Sequence, residues 1–126
     1  MTPTLEHINI TVPDARATAQ VLTELFDWSI RWEGETPDKG WSVHVGSPDS
    51  YLALYTPGKT VEDVRPRYSH FGGLNHIGLT VEDLDATEAK VRAAGYTPHH
   101  HADYEPGRRF YFYGPDGVEY EMVSYH

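Results

Sequence analysis

Polar and apolar positions alternate at the start of the chain. In LEHINITV (5–12), Ile8, Ile10 and Val12 alternate with His7, Asn9 and Thr11. The alternation returns in LNHIGLTV (74–81), where Ile77, Leu79 and Val81 alternate with His76, Gly78 and Thr80. A period of two with one apolar face predicts a half-buried strand. Each strand runs into a helical pattern. Val21, Leu22, Leu25 and Phe26 make one stripe, and Leu84, Val91 and Ala94 make a weaker one. Asp14 and Asp83 precede the helices as N-caps, because a short carboxylate accepts from the first free N–H groups. Gly95 is a C-terminal stop, since it tolerates the left-handed conformation.

The two openings are copies. LEHINITVPDARAT and LNHIGLTVEDLDAT share eight of fourteen positions, 69 residues apart. That spacing is too long for a solenoid repeat of roughly 20–50 residues and indicates a duplicated module. Strands are predicted at 29–34, 40–45 and 50–56 in the first copy. They are predicted at 95–101, 108–113 and 118–124 in the second, the 95–101 segment weakened by Pro98. GSPDS and GPDG carry turn chemistry. Each half reads β-α-β-β-β: module one over 4–56, a linker over 57–73 without periodicity, and module two over 74–125. The expected class is α+β, and 126 residues fit one domain.

Composition narrows the function classes. The net charge of −9 argues against a nucleic-acid binder, because phosphates would repel the chain. The absence of cysteine excludes disulfides, thiolate metal sites and cysteine nucleophiles. No segment reads as a signal peptide or approaches the roughly 20 apolar residues that span a bilayer, so a cytoplasmic protein handling a small molecule is expected.

The candidate chemistry lies on the more polar strand faces. There His7 and Asn9 join Ser42 and His44 of GWSVHV, Tyr51, Ala53 and Tyr55 of SYLALYT, Tyr111 and Tyr113 of RRFYFY, and Glu119 and Glu121 of VEYEMVS. With helices on the apolar faces, the polar faces would curve around a cavity lined by His7, Asn9, His44, His76, Tyr111, Tyr113 and Glu121. Two imidazoles and a carboxylate are a divalent-metal donor set. HHH at 99–101 reads as a solvated loop, because neighbours on a regular strand point to opposite faces and cannot all chelate one ion.

The duplicated βαβββ pattern, the histidines of LEHINI and LNHIGL and the GPDGVEYEMV ending together resemble the vicinal oxygen chelate superfamily over residues 5–124. That superfamily holds glyoxalase I, extradiol dioxygenases, fosfomycin-resistance enzymes, methylmalonyl-CoA epimerase and bleomycin-binding proteins. The resemblance implies two tandem βαβββ modules forming a curved mixed sheet around a metal-binding cavity. It implies His7, His76 and Glu121 as metal ligands. Ala53 stands where glyoxalase I and the epimerase place a further ligand, so a three-ligand set remains.

Among three-ligand relatives, the resemblance points first to an Fe(II) extradiol-type dioxygenase acting on a small aromatic diol. His44 and Tyr111 then match the catalytic His and Tyr, provided the turns of the two modules differ by one residue. His44 would act as base toward a catechol proton or stabilise bound superoxide, and Tyr111 would bond a substrate oxygen. Asn9 and Tyr113 would line the substrate site. The alternatives are a metal-dependent lyase, isomerase or epimerase using Mn, Zn or Ni, and a non-catalytic antibiotic-binding protein. The site would form within one chain or by exchange across a homodimer.

Overall fold

The computed structural model describes residues 1–61, 67–104 and 107–125. The chain divides into two compact units, Met1–Glu62 and Asp63–His126. The boundary falls inside the sequence-predicted linker, of which 62–66 lie outside the described residues.

In the first unit, β1 (His7–Thr11) leads into α1 (Ala15–Phe26), followed by β2 (Ser29–Glu35), β3 (Trp41–Gly46) and β4 (Tyr51–Thr56). The sheet order is β1-β4-β3-β2, with β1 parallel to β4 and the other pairs antiparallel. Asp14 caps α1 by accepting from the Ala17 N–H at 3.1 Å. The helix ends at Asp27, whose φ of 57° is left-handed. α1 packs on β3 and β4. There Leu22, Leu25, Val43, Val45, Leu52 and Leu54 are buried, as the two periodicities predict.

The second unit repeats the plan. After a 3-10 turn at Arg67–Ser69 come β5 (Ile77–Thr80), α2 (Leu84–Ala93), β6 (His99–Tyr104), β7 (Gly107–Tyr113) and β8 (Glu119–Ser124), in sheet order β5-β8-β7-β6. Asp83 caps α2 through the Ala86 N–H at 3.0 Å. Gly95 follows its C-terminus at φ +95°, as its stop role requires. Phe110, Phe112, Met122 and Val91 are fully buried.

Three sequence expectations are corrected. Ala94 was assigned to the apolar stripe of α2, yet it is the C-cap residue and is exposed, so only Leu84 and Val91 of that stripe are buried. The strand predicted at 95–101 begins only at His99 and runs to Tyr104, so residues 95–98 lie outside it and the HHH segment is strand rather than solvated loop. β6 begins at His99, and an irregularity between His99 and Ala102, with His100 at φ 53°, breaks the strict alternation. His99 thereby faces the tyrosines of β7, while His101 reaches Glu88 of α2 at 2.9 Å.

A candidate metal-binding face in each unit

Strand register aligns the two units residue by residue. In the first, Ala53 of β4 lies between Asn9 of β1 and His44 of β3. In the second, Glu121 of β8 lies between Gly78 of β5 and Tyr111 of β7. His44 and Tyr111 are therefore equivalent positions, as the one-residue turn difference requires. Ala53 is equivalent to Glu121 and brings no donor.

The second unit gathers most of the polar chemistry. His76 Nε2 faces Glu121 Oε1 at 3.2 Å. His76 Nδ1 lies 2.7 Å from Asn75 Oδ1, an atom that can only accept, so Nδ1 carries the proton. In neutral His76 the Nε2 lone pair then points at a carboxylate oxygen. Two acceptors that close need a cation between them, either a proton or a metal. Gly78 pairs with Glu121 and leaves this place open, an added Cβ standing at an ordinary 3.6 Å from Glu121 Oε1.

The other carboxylate oxygen is occupied. Arg109 Nη1 donates to Glu121 Oε2 at 2.9 Å, and the Tyr111 hydroxyl donates to the same oxygen at 3.0 Å. Burial, then the bond to Glu121, push the Tyr111 pKa up, so the phenol stays a donor. Burial works most strongly against the charge of Arg109, but the bond to Glu121 and the nearby charges of Tyr104, Glu121 and Tyr111 together raise its pKa. Tyr111 also meets His76 edge-on, ring centroids 5.5 Å apart.

Next to this group, Tyr113 pairs with Glu119 across β7 and β8 and stacks on His99 at 5.0 Å. The Glu119 carboxylate is buried and accepts from the Tyr68 hydroxyl at 2.7 Å. Burial and that bond raise the Tyr68 pKa. Arg109, Glu119 and Tyr68 were not singled out as site residues from sequence. For Arg109 a signal existed, since it stands two residues from Tyr111 on one strand and shares its face. For Tyr68 there was none, because its segment has no periodicity.

The first unit presents a ring-lined face. His7 stacks on Tyr51 at 4.9 Å, His44 stacks on Tyr51 at 4.6 Å, and Trp32 meets His44 at 5.0 Å. His7 Nδ1 donates to Glu6 Oε1 at 2.8 Å. That bond leads the causes that lower the Glu6 pKa. It leaves His7 Nε2 bearing the lone pair, the same arrangement that Asn75 gives His76. Burial, then the nearby charges of His7 and Arg31, lower the His44 pKa. Asn9 is exposed on the same strand, beside Ala53.

The donors fit a divalent cation. Both histidines have Nδ1 held by an oxygen of the preceding residue, which leaves the Nε2 lone pair for a cation, the outer-shell arrangement that orients imidazole ligands. Among the described residues, neither unit by itself gathers three His, Asp or Glu side chains at ligand distance. His76 and Glu121 belong to one unit and His7 to the other.

The sequence model of the Glyoxalase/Bleomycin resistance protein/Dioxygenase superfamily matches residues 4–122, and the chain belongs to that superfamily. Solved structures share the fold. A glyoxylase/bleomycin resistance protein/dioxygenase domain from Frankia sp. EAN1pec superposes at TM-score 0.84 with 21% identity, each chain covered over 100%. TnmS3, an antibiotic binding protein from Streptomyces sp. CB03234, superposes at TM-score 0.78 with 17% identity, over 99% of this chain and 98% of its own. A variant of the fosfomycin resistance protein FosX from Listeria monocytogenes, complexed with Mn(II) and 1S,2S-dihydroxypropylphosphonic acid, superposes at TM-score 0.72 with 18% identity, over 98% and 93%. Among the described residues, no helix is long and apolar enough to cross a membrane.

Proposed function

We propose that this chain is a metal-dependent enzyme acting on a small oxygenated substrate, with His76 and Glu121 as two ligands and His7 as the third. The observation that carries the reading is the His76 Nε2 to Glu121 Oε1 approach at 3.2 Å, with Nδ1 already spent on Asn75. The finer form of the proposal is an Fe(II) extradiol-type dioxygenase acting on an aromatic diol, with Mn, Zn or Ni as other metals the donor set accepts. The third ligand comes from the same chain or from a second copy in a homodimer.

A bound divalent cation supplies Lewis acidity, lowering the pKa of a coordinated hydroxyl. The chain's own groups do the rest. Burial keeps His44 unprotonated at neutral pH, so one of its ring nitrogens can take the proton leaving a diol oxygen. Tyr111, whose raised pKa keeps it protonated, joins Arg109 in fixing Glu121 Oε2. Asn9 and Tyr113 extend the polar faces where substrate would lie. The ring of Trp32, half exposed beside His44, offers a flat apolar surface to an aromatic ligand. Ala53 at the position equivalent to Glu121 supports a three-ligand rather than a four-ligand centre.

Elemental mass spectrometry of untagged protein, purified without oxygen or chelators, tests the reading. About one iron per chain, lost in Glu121→Ala, together with oxygen uptake on catechols, is the expected result. Stoichiometric manganese, zinc or nickel without oxygen uptake would move the function to a lyase, isomerase or epimerase. The second reading is a protein that sequesters an aromatic small molecule such as an antibiotic. It is favoured by the run of rings in contact from Trp32 through His44 and Tyr51 to His7. Its mark would be ligand binding unaffected by chelator.

A further inference from the structure

Arg109 sets the charge of the site. Its side chain is 12% exposed and that of Glu121 is 13% exposed, and the two form an ion pair at 2.9 Å. The guanidinium is held from other sides as well. Nη2 donates to the Gly107 carbonyl at 3.3 Å, and the Tyr104 ring lies 4.7 Å from its central carbon. Its Nε–H is buried and has no acceptor among the described residues. A largely enclosed guanidinium fixed in this way is a permanent unit charge.

Two consequences follow for a cation at His76 and Glu121. The Glu121 charge is cancelled by Arg109, so a divalent cation would keep close to its full double charge toward an incoming ligand. Glu121 Oε2 is saturated by Arg109 and Tyr111, so the carboxylate can offer only Oε1 and cannot chelate through both oxygens. The coordination position left free would remain open to ligand oxygens.

We propose that Arg109 is a specificity-determining residue that tunes the site for doubly charged oxygen chelators over singly charged ones. The proposal rests on the metal-site reading above. Arg109 acts through Glu121 and through its charge.

Calorimetry on the metal-free chain tests it, with Mn(II) as the cation. Mn(II) is titrated into the wild type, Arg109→Gln and Arg109→Lys. Oxalate, a dianion, and lactate, a monoanion with similar chelating oxygens, are then titrated into each Mn(II)-loaded form. In Arg109→Gln, Mn(II) is expected to bind more tightly and oxalate about tenfold more weakly, with lactate changed less, because one unit of positive charge is gone. Arg109→Lys is expected to keep the wild-type oxalate preference. An oxalate-to-lactate ratio unchanged in Arg109→Gln overturns the proposal while leaving the metal site standing. A wild type that takes up no Mn(II) overturns both. Should Arg109→Gln not fold, Arg109→Met carries the same comparison. A purely structural Arg109 would lower thermal stability without moving the ratio.

Discussion

The imidazole of His76 and the carboxylate of Glu121 face each other at 3.2 Å, and the other nitrogen of the ring is held at 2.7 Å by Asn75. Asn75 thus decides which nitrogen is free. Replacing it with Leu would leave Nδ1 without an acceptor and free the ring to turn and change tautomer. We expect Asn75→Leu to weaken Mn(II) binding by about 10- to 100-fold, the usual effect of losing an outer-shell partner. Asn75→Asp, which keeps the acceptor, should retain affinity near the wild type. Metal titration followed by electron paramagnetic resonance checks both, and equal affinity in all three chains would show that Asn75 does not orient the ligand.

Two strand glycines should respond oppositely to alanine. A Cβ on Gly46 would meet the Ser50 carbonyl oxygen at 2.3 Å and Tyr51 Cα at 2.5 Å, both backbone atoms. Gly46→Ala must therefore shift the β3–β4 turn, at a cost of about 1–3 kcal/mol, as for overpacking generally. On Gly78 the nearest atom would be Glu121 Oε1, at an ordinary 3.6 Å. Gly78→Ala should fold with unchanged or slightly higher stability, since alanine loses less entropy in a strand. Urea denaturation of the two variants separates these outcomes.

Much of this architecture was legible from period-two alternation and from caps. Asp14 and Asp83 cap the helices they were assigned to. Phe110 and Phe112 are buried while Tyr111 and Tyr113 share the other face. The equivalence of His44 and Tyr111 needed the strand register, because it depends on a one-residue difference in turn length that sequence cannot fix. Arg109 is where sequence reasoning stopped short. Its place two residues from Tyr111 puts it on the face of Glu121, but alternation alone does not single out a cation there as a site residue. The β6 irregularity was illegible for a different reason. A left-handed His100 has no local signature, and it alone turns a run of three histidines so that His99 and His101 meet different partners.

Asp38 ties the first unit's stability to acid. Its carboxylate accepts from the Thr36 and Tyr55 hydroxyls and from the Gly40 N–H. These bonds, led by Thr36, hold its pKa down from 3.8 to about 2. A carboxylate depressed in the folded state adds stability that is fully present above its unfolded pKa and is lost as pH falls through the folded one. Wild-type stability should therefore begin to fall near pH 4 and continue falling to about pH 2 on account of Asp38. Asp38→Asn should be less stable at pH 7 and flatter across that window. Urea midpoints at several pH values measure the slope, and parallel profiles would show that Asp38 is not the group responsible.

Tyr68 ties the segment before β5 to the sheet, its hydroxyl donating to the buried Glu119 carboxylate at 2.7 Å. Glu119 Oε2 lies 3.4 Å from His99 Nε2, a buried atom with no hydrogen-bond partner among the described residues. Removing the tyrosine hydroxyl takes away the donor at 2.7 Å and leaves the carboxylate buried. Tyr68→Phe should cost about 1 kcal/mol, below the range for bonds to charged groups because Tyr68 is half exposed. Its larger effect should be local. Amide exchange at residues 67–70 should speed up while the β7 and β8 amides keep their protection, because the ladder does not depend on Tyr68. Glu119→Gln retains an oxygen that can accept from Tyr68, so it should leave exchange at 67–70 slow. Faster exchange in Glu119→Gln but not in Tyr68→Phe would mean that the charge of Glu119, rather than the bond from Tyr68, anchors this segment.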